Sequence, residues 1–157
     1  GEILTKGPNV LLGYYKNEED TSQTIDKDGW FHTGDLGLMD EDGNVFIKGR
    51  SKNMLLGSNG QNIYPEEIED KLNSLPLVAE CLVIQSGEKL IALVHPDYDE
   101  AQNLGLNADD LKNIMEENRT QLNTIVPAYC KVAEIRIQEE EFEKTPKKSI
   151  KRFLYTE

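Results

Sequence analysis

Apolar residues fall along this chain in two regimes. From residue 1 to about 48 they come in short runs punctuated by glycine: Ile3-Leu4, Val10-Leu11-Leu12, Leu36–Met39 and Val45–Ile47. Runs of this length between Gly, Asn and Asp predict strands and tight turns, and Asp40-Glu41-Asp42-Gly43-Asn44 between two such runs predicts a hairpin. Asn17 can cap a short helix whose first turn carries Glu18, Glu19 and Asp20, charges that favour a helix N-terminus. From about residue 50 the spacing lengthens. Pro65 opens a helix with Ile68, Leu72 and Leu75 on its apolar face. Leu77–Gln85 and Lys89–Val94 predict two strands around Ser86-Gly87-Glu88. Asn107 or Asp109 starts the longest helix, with Leu111, Ile114, Met115, Leu122 and Ile125 at helical spacing, and Pro127 ends it. Val132–Ile137 predicts a third strand, and the tail after Pro146 predicts a terminal helix.

The fold class this predicts is α+β. Residues 50–157 form a small domain of about three strands with helices on one or both faces. Residues 1–49 are too short and glycine-rich to bury much core alone. They are expected to be a strand-rich remnant of a larger N-terminal domain, with apolar faces whose partner lies upstream. The start at Gly1-Glu2-Ile3-Leu4 reads as the middle of a strand, without a signal peptide.

Composition narrows the picture. The chain has 157 residues, 38% of them hydrophobic and 29% charged, with a formal net charge of −12. That balance excludes non-specific nucleic-acid binding, which needs a basic footprint. No apolar run is long enough to span a bilayer, and nothing indicates membrane association. The tail departs from the acidic background: Lys144, Lys147, Lys148, Lys151 and Arg152 fall within nine residues. Such a cluster suits either an anionic ligand or a solvated tail. Cys81 and Cys130 lack metal-ligand or redox spacing, so no metal site is expected, and two buried free thiols fit a reducing cytoplasm.

Four segments carry candidate chemistry. Thr33-Gly34-Asp35 puts a carboxylate on a tight turn, where it either caps the turn or accepts two hydrogen bonds from a ribose diol. Gly49-Arg50 delivers an arginine at a strand exit, suited to a phosphate or a ribose oxygen. Gly57-Ser58-Asn59-Gly60 forms a mobile, ligand-approachable loop ahead of a helix, or simply a turn before a well-capped one. Thr145-Pro146-Lys147-Lys148 can deliver a lysine charge to a phosphate or carboxylate.

The order of these segments is more specific than any one of them. Gly1-Glu2-Ile3 with Lys6-Gly7, Gly13-Tyr14-Tyr15 with Asn17, Trp30-Phe31 with Thr33-Gly34-Asp35-Leu36, Gly49-Arg50 with Lys52, Gly60 with Ile63, Pro65 and Glu67-Ile68-Glu69, then a lysine-rich end, together resemble the C-terminal part of the adenylate-forming (AMP-binding) acyl-CoA synthetase superfamily. The resemblance covers nearly the whole chain. The tail and Gly49–Lys52 look most like bacterial long-chain fatty-acid CoA ligases.

The resemblance implies an acid–thiol ligase that makes an acyl-adenylate from acid and ATP, with Mg, and then a thioester with CoA. It implies that Asp35 and Arg50 bind the nucleotide, that Lys52 is a hinge, and that Gly57 and Gly60 lie near CoA. In the family a lysine usually stands where Ser149 falls here, so Lys148 or Lys151 takes the catalytic role. The implied partners are the chain's own N-terminal domain and the small molecules acid, ATP and CoA. Because the phosphate loop and acid pocket of the family lie upstream, the chain alone is expected to be inactive and to retain no cofactor tightly. Loading of a carrier protein and a non-catalytic interaction module on the same fold are the alternatives.

Overall fold

In a computed structural model describing residues 1–156, the chain divides into two compact units, Gly1–Met54 and Leu55–Glu157.

In the first unit, β1 (Glu2–Thr5), β2 (Phe31–Met39) and β3 (Val45–Arg50) form an antiparallel sheet in that order. The hairpin at Asp40–Asn44 forms where the turn residues place it, with the Asp40 carboxylate accepting the N–H groups of Asp42 and Asn44. Helix α1 (Glu18–Thr24) starts at Asn17, whose side chain accepts the Asp20 N–H. The hairpin keeps Leu38, Met39, Val45, Phe46 and Ile47 exposed.

In the second unit, β4 (Leu55–Leu56) and β5 (Asn62–Ile63) make a small hairpin, followed by α2 (Pro65–Asn73). A three-stranded sheet then forms from β6 (Val78–Ser86), β7 (Lys89–Pro96) and β8 (Val132–Ile137), in that order. β6 and β7 are antiparallel across the Gly87 turn, whereas β8 runs parallel to β7. A parallel partner needs a long crossover. Here it is supplied by α3 (Tyr98–Asn103) and α4 (Ala108–Ile125). Asn107 caps α4 by accepting the Asp109 and Asp110 N–H groups, and the Asp110 carboxylate returns to the Asn107 N–H.

The sheet has a core on each face, because successive strand residues point to opposite sides. On one face Cys81, Val83, Leu90, Ala92, Val94 and Val132 meet Ile68 and Leu72 of α2 and Met115 and Leu122 of α4. On the other, Leu82, Ile84 and Ile91 meet Phe142, with Ile150 and Tyr155 packed beside them. Helices thus cover one face, and the C-terminal tail covers the other.

Two expectations need correction, and one helix was not expected. The tail after Pro146 is a hairpin and not a helix. Lys144 and Ile150 form a β-bridge, the Lys148 N–H donates to the Thr145 carbonyl at 2.8 Å, and only a 3-10 turn at Arg152–Leu154 follows. Pro146 suits the second position of such a turn, and the second face of the sheet draws in Ile150 and Tyr155. Ile125 is 52% exposed, and its neighbour Val126 takes the core position where α4 ends. Helix α3, which the apolar pattern did not predict, is set by Asp97 accepting the Glu100 N–H at 2.9 Å.

Candidate functional site

The chemistry-bearing residues of the first unit gather on β2 and β3. Asp35 and Arg50 are opposed across the two strands, and Arg50 Nη1 donates to Asp35 Oδ1 at 2.8 Å. Both side chains stay about a third to a half exposed, at 32% and 48%. Motifs fifteen residues apart thus come together as one carboxylate–guanidinium pair. Thr33-Gly34-Asp35 is not a tight turn but part of a continuous strand. Gly34 supplies a left-handed φ of 72° within it, and a Cβ there would lie 3.4 Å from Arg50 Nη2. The Thr33 hydroxyl donates to the Ile3 carbonyl at 2.7 Å and accepts the Asp35 N–H at 3.0 Å, which fixes the carboxylate's backbone.

Beside this pair, His32 sits between two acids that sequence reasoning did not single out. Its Nδ1 lies 2.9 Å from Glu2 Oε2 and its Nε2 3.7 Å from Asp26 Oδ2. Glu2 also accepts the Gly34 N–H at 3.0 Å. The hydrogen bond that His32 donates to the Glu2 carboxylate raises the His32 pKa above the ordinary 6.5. The same bond lowers Glu2, and Asp26 is lowered chiefly by the Trp30 N–H. A raised histidine stabilises the fold fully below its unfolded pKa, and that contribution is lost as pH rises through the folded value. The window therefore runs upward from the ordinary 6.5 to the raised folded value. An NMR titration should give His32 a midpoint above that of a free histidine, and Glu2→Gln should bring it down. An unmoved midpoint would mean that Glu2 does not hold the imidazole.

Lys52 lies in a 3-10 turn, Ser51–Asn53, directly after β3. Gly57 and Gly60 occupy the β4–β5 loop, which is a hydrogen-bonded hairpin turn. The Gly60 N–H donates to the Gly57 carbonyl and the Gly57 N–H to the Gln61 carbonyl, both at 2.8 Å. A Cβ on Gly57 would lie 3.0 Å from Asn59 Oδ1, and Gly60 has a φ of 77° with open space beside it. Next to this hairpin is a cavity of about 240 Å³ whose wall includes Gly57, Asn59, Gln85, Lys89, Tyr129 and Lys131.

The tail's cations divide into engaged and open ones. Lys144 Nζ pairs with Glu80 at 2.5 Å, Lys151 Nζ pairs with Glu143 at 3.0 Å, and Arg152 pairs with Glu69. Lys147, Lys148 and Ser149 are exposed at the hairpin tip, where Lys148 takes a left-handed φ of 61°. Of the two candidate lysines, Lys151 is therefore tied to a carboxylate and Lys148 stands at the turn.

The Glu69–Arg152 pair was missed from sequence, although a signal was present. Pro65, Ile68, Glu69 and Leu72 are the buried residues of α2, so Glu69 stands on the core face by helical spacing. Glu69 Oε1 accepts the Val83 N–H at 2.7 Å. Burial pushes the Glu69 carboxyl up, while the Arg152 guanidinium and the Val83 N–H pull it down. Cys81 and Cys130 are both free and buried, and burial raises both thiols.

Among the described residues no three His, Cys, Asp or Glu side chains are grouped as a metal would need, and no helix is long and apolar enough to cross a membrane.

Residues 52–157 match the family model described as AMP-binding enzyme C-terminal domain. A probable 4-coumarate–CoA ligase of Dictyostelium discoideum is 54% identical over 84 residues, 54% of this chain and 15% of that protein. Probable acyl-activating enzyme 9 of Arabidopsis thaliana is 37% identical over 159 residues, 98% of this chain and 27% of that protein. The chain thus spans between 15% and 27% of the length of these relatives. Among solved structures, O-succinylbenzoate coenzyme A synthetase from Bacillus subtilis in complex with AMP superposes with a TM-score of 0.71 at 27% identity, over 99% of this chain and 30% of that one.

Proposed function

The chain belongs to the AMP-binding enzyme C-terminal domain family of adenylate-forming enzymes, and on that footing we propose that it works as the C-terminal part of an AMP-forming acid–CoA ligase. The observation that carries this is the opposed pair Asp35–Arg50, with its carboxylate and guanidinium both reachable from solvent. A ribose offers two hydroxyl donors to such a carboxylate, and the arginine beside it offers donors to ribose or phosphate oxygens.

The reaction has two halves. A carboxylate oxygen of the acid attacks the α-phosphorus of ATP, and pyrophosphate leaves. The CoA thiolate then attacks the acyl carbon, and AMP leaves. Asp35 and Arg50 hold the nucleotide in both halves. Lys148 supplies a positive charge to the acid carboxylate and phosphate during the first. Lys52 is the hinge at which the domain turns between halves. The Gly57–Gly60 hairpin lets the CoA arm pass close to backbone, and the adjoining cavity offers Lys89 and Lys131 to the phosphate-bearing end of CoA. Mg²⁺ would arrive with the ATP phosphates, and no residue of this chain is assigned to it. A cytoplasmic location fits the two free thiols and the use of ATP and CoA.

The motif resemblance favours a long-chain fatty acid, whereas two of the relatives above are named for 4-coumarate and O-succinylbenzoate. One experiment addresses both the activity and the acid. Pyrophosphate release from ATP is followed for a protein extended upstream of Gly1, with fatty acids of increasing length, 4-coumarate and succinylbenzoate, first without and then with CoA. The expected result is acid-dependent release followed by CoA-dependent AMP and thioester formation, with no turnover by residues 1–157 alone. If no acid supports release, the ligase proposal fails.

A further inference from the structure

The sheet of the second unit ends on β6, an outer strand whose unpaired backbone groups need partners. At Val83 those partners are two side chains. Val83 N–H donates to Glu69 Oε1 at 2.7 Å, and Arg152 Nη1 reaches the Val83 carbonyl at 3.5 Å. Arg152 Nη2 closes the ring on Glu69 Oε2. A carboxylate and a guanidinium thus stand where a neighbouring strand's carbonyl and N–H would stand. The side chains are 11% and 21% exposed, which puts the pair largely out of water.

Glu69 lies on α2, four residues after its first residue Pro65, and α2 follows directly from the Gly57–Gly60 hairpin and β5. Arg152 lies two residues after Ile150, which closes the turn carrying Lys148 and Ser149. One ion pair therefore links the element that holds the glycine hairpin to the element that holds the lysine turn. Before the turn, the tail is also held by Phe142, buried against the sheet, and by Lys144, which pairs with Glu80 of β6. After the turn, Lys151–Glu143 and the Tyr155 hydroxyl that accepts the Glu143 N–H lie within the tail itself, and Ile150 and Tyr155 are only partly buried, so Arg152 makes the ion pair that ties this side of the turn to α2.

We propose that the Glu69–Arg152 pair is a latch that fixes the lysine turn of the tail against α2 and the edge of β6, making both residues positioning residues for the adenylation step. The latch itself rests on the geometry, and its catalytic consequence rests on the ligase function proposed above. A cation on a tethered turn reaches the reacting carboxylate with less lost freedom than one on a free tail. Removing either partner leaves a charge buried without its counterion and frees one side of Val83.

The latch is tested on the chain as it stands, by hydrogen exchange read by mass spectrometry. In Arg152→Gln the amides of Thr145, Lys148 and Lys151, which close the tail hairpin, should exchange about tenfold faster or more, with β7 and α4 still protected. Unchanged tail exchange, or equal loss across β7 and α4, would overturn the latch. If Arg152→Gln does not fold, Arg152→Lys keeps the charge without the planar fork and should give a smaller acceleration confined to the tail; no acceleration overturns the latch as well. In the upstream-extended protein, Arg152→Gln should lower kcat for pyrophosphate release about tenfold while KM for ATP stays within about twofold, and Arg152→Lys should recover part of the rate. A change in KM alone, or in neither constant, would overturn the positioning role. Absence of release by the unsubstituted protein would remove the ligase function and the positioning role together, while the exchange data would still decide the latch.

Discussion

Replacing Leu122 with alanine is expected to lower the unfolding free energy of the Leu55–Glu157 unit by about 2–5 kcal/mol. Leu122 is fully buried in the last turns of α4, in the cluster that also contains Leu72, Val126 and Val132. It therefore seals the crossover helix onto the helix-covered face of the sheet. Alanine would lose the transfer energy of three carbons and leave a cavity whose walls belong to a helix and a strand that cannot both move in. Domains of this size are stable by only about 5–15 kcal/mol, so the loss is a large share of the whole. Leu154, at 48% exposure in the tail, is the comparison. Its alanine variant should stay within about 0.5 kcal/mol of the parent. Denaturant unfolding of the chain measures both. A loss at Leu122 no larger than that at Leu154 would mean that α4 is not what closes this core.

The same packing explains which parts of the fold were legible in the sequence. Strands β6 and β7 could be read because the apolar run is long and a Gly turn splits it. Helix α4 could be read because Leu111, Met115 and Leu122 repeat at helical spacing behind a capping asparagine. What local pattern does not encode is pairing between distant segments. Nothing near Val132–Ile137 says that it lies parallel to β7, and nothing near Phe142 says that it is buried against Leu82 and Ile91. The tail was expected to be helical because its polar residues match that template as well as any other. Its real conformation is set by a sheet face some sixty residues upstream that needs covering. The site divides in the same way. Asp35, Arg50 and the glycines could be chosen because the order and spacing of their motifs along the chain are specific even though each motif alone has a bland reading. Glu69 and Arg152 read as ordinary surface charges until their shared edge at Val83 is seen. Asp35 was expected on a tight turn and lies inside a strand, because a glycine with positive φ can sit in a strand as well as in a turn.

In the upstream-extended protein, Lys148→Ala is expected to slow pyrophosphate release by about 10²–10³-fold, the scale on which one preorganised charge stabilises a transition state. Thioester formation from a supplied acyl-adenylate should change little, because the carboxylate has already been activated. Lys151→Ala should have a small effect, since its amine is engaged by Glu143 at 3.0 Å. The exposed turn makes the interpretation cleaner than usual. Lys148 holds a φ of 61°, a conformation that costs a non-glycine residue roughly 1–2 kcal/mol. Lys148→Gly would therefore relieve the backbone while removing the cation. A variant that unfolds no more easily than the parent yet loses adenylation would assign the loss to charge and not to a disordered turn. Ser149→Lys supplies the converse, since Ser149 stands at the position that the family resemblance gives to lysine. It should raise the rate of release in the Lys148→Ala background if the two positions serve one role. If Lys151→Ala carries the loss instead, the Lys151–Glu143 pair must open during the reaction, and the cation at the turn is only a bystander.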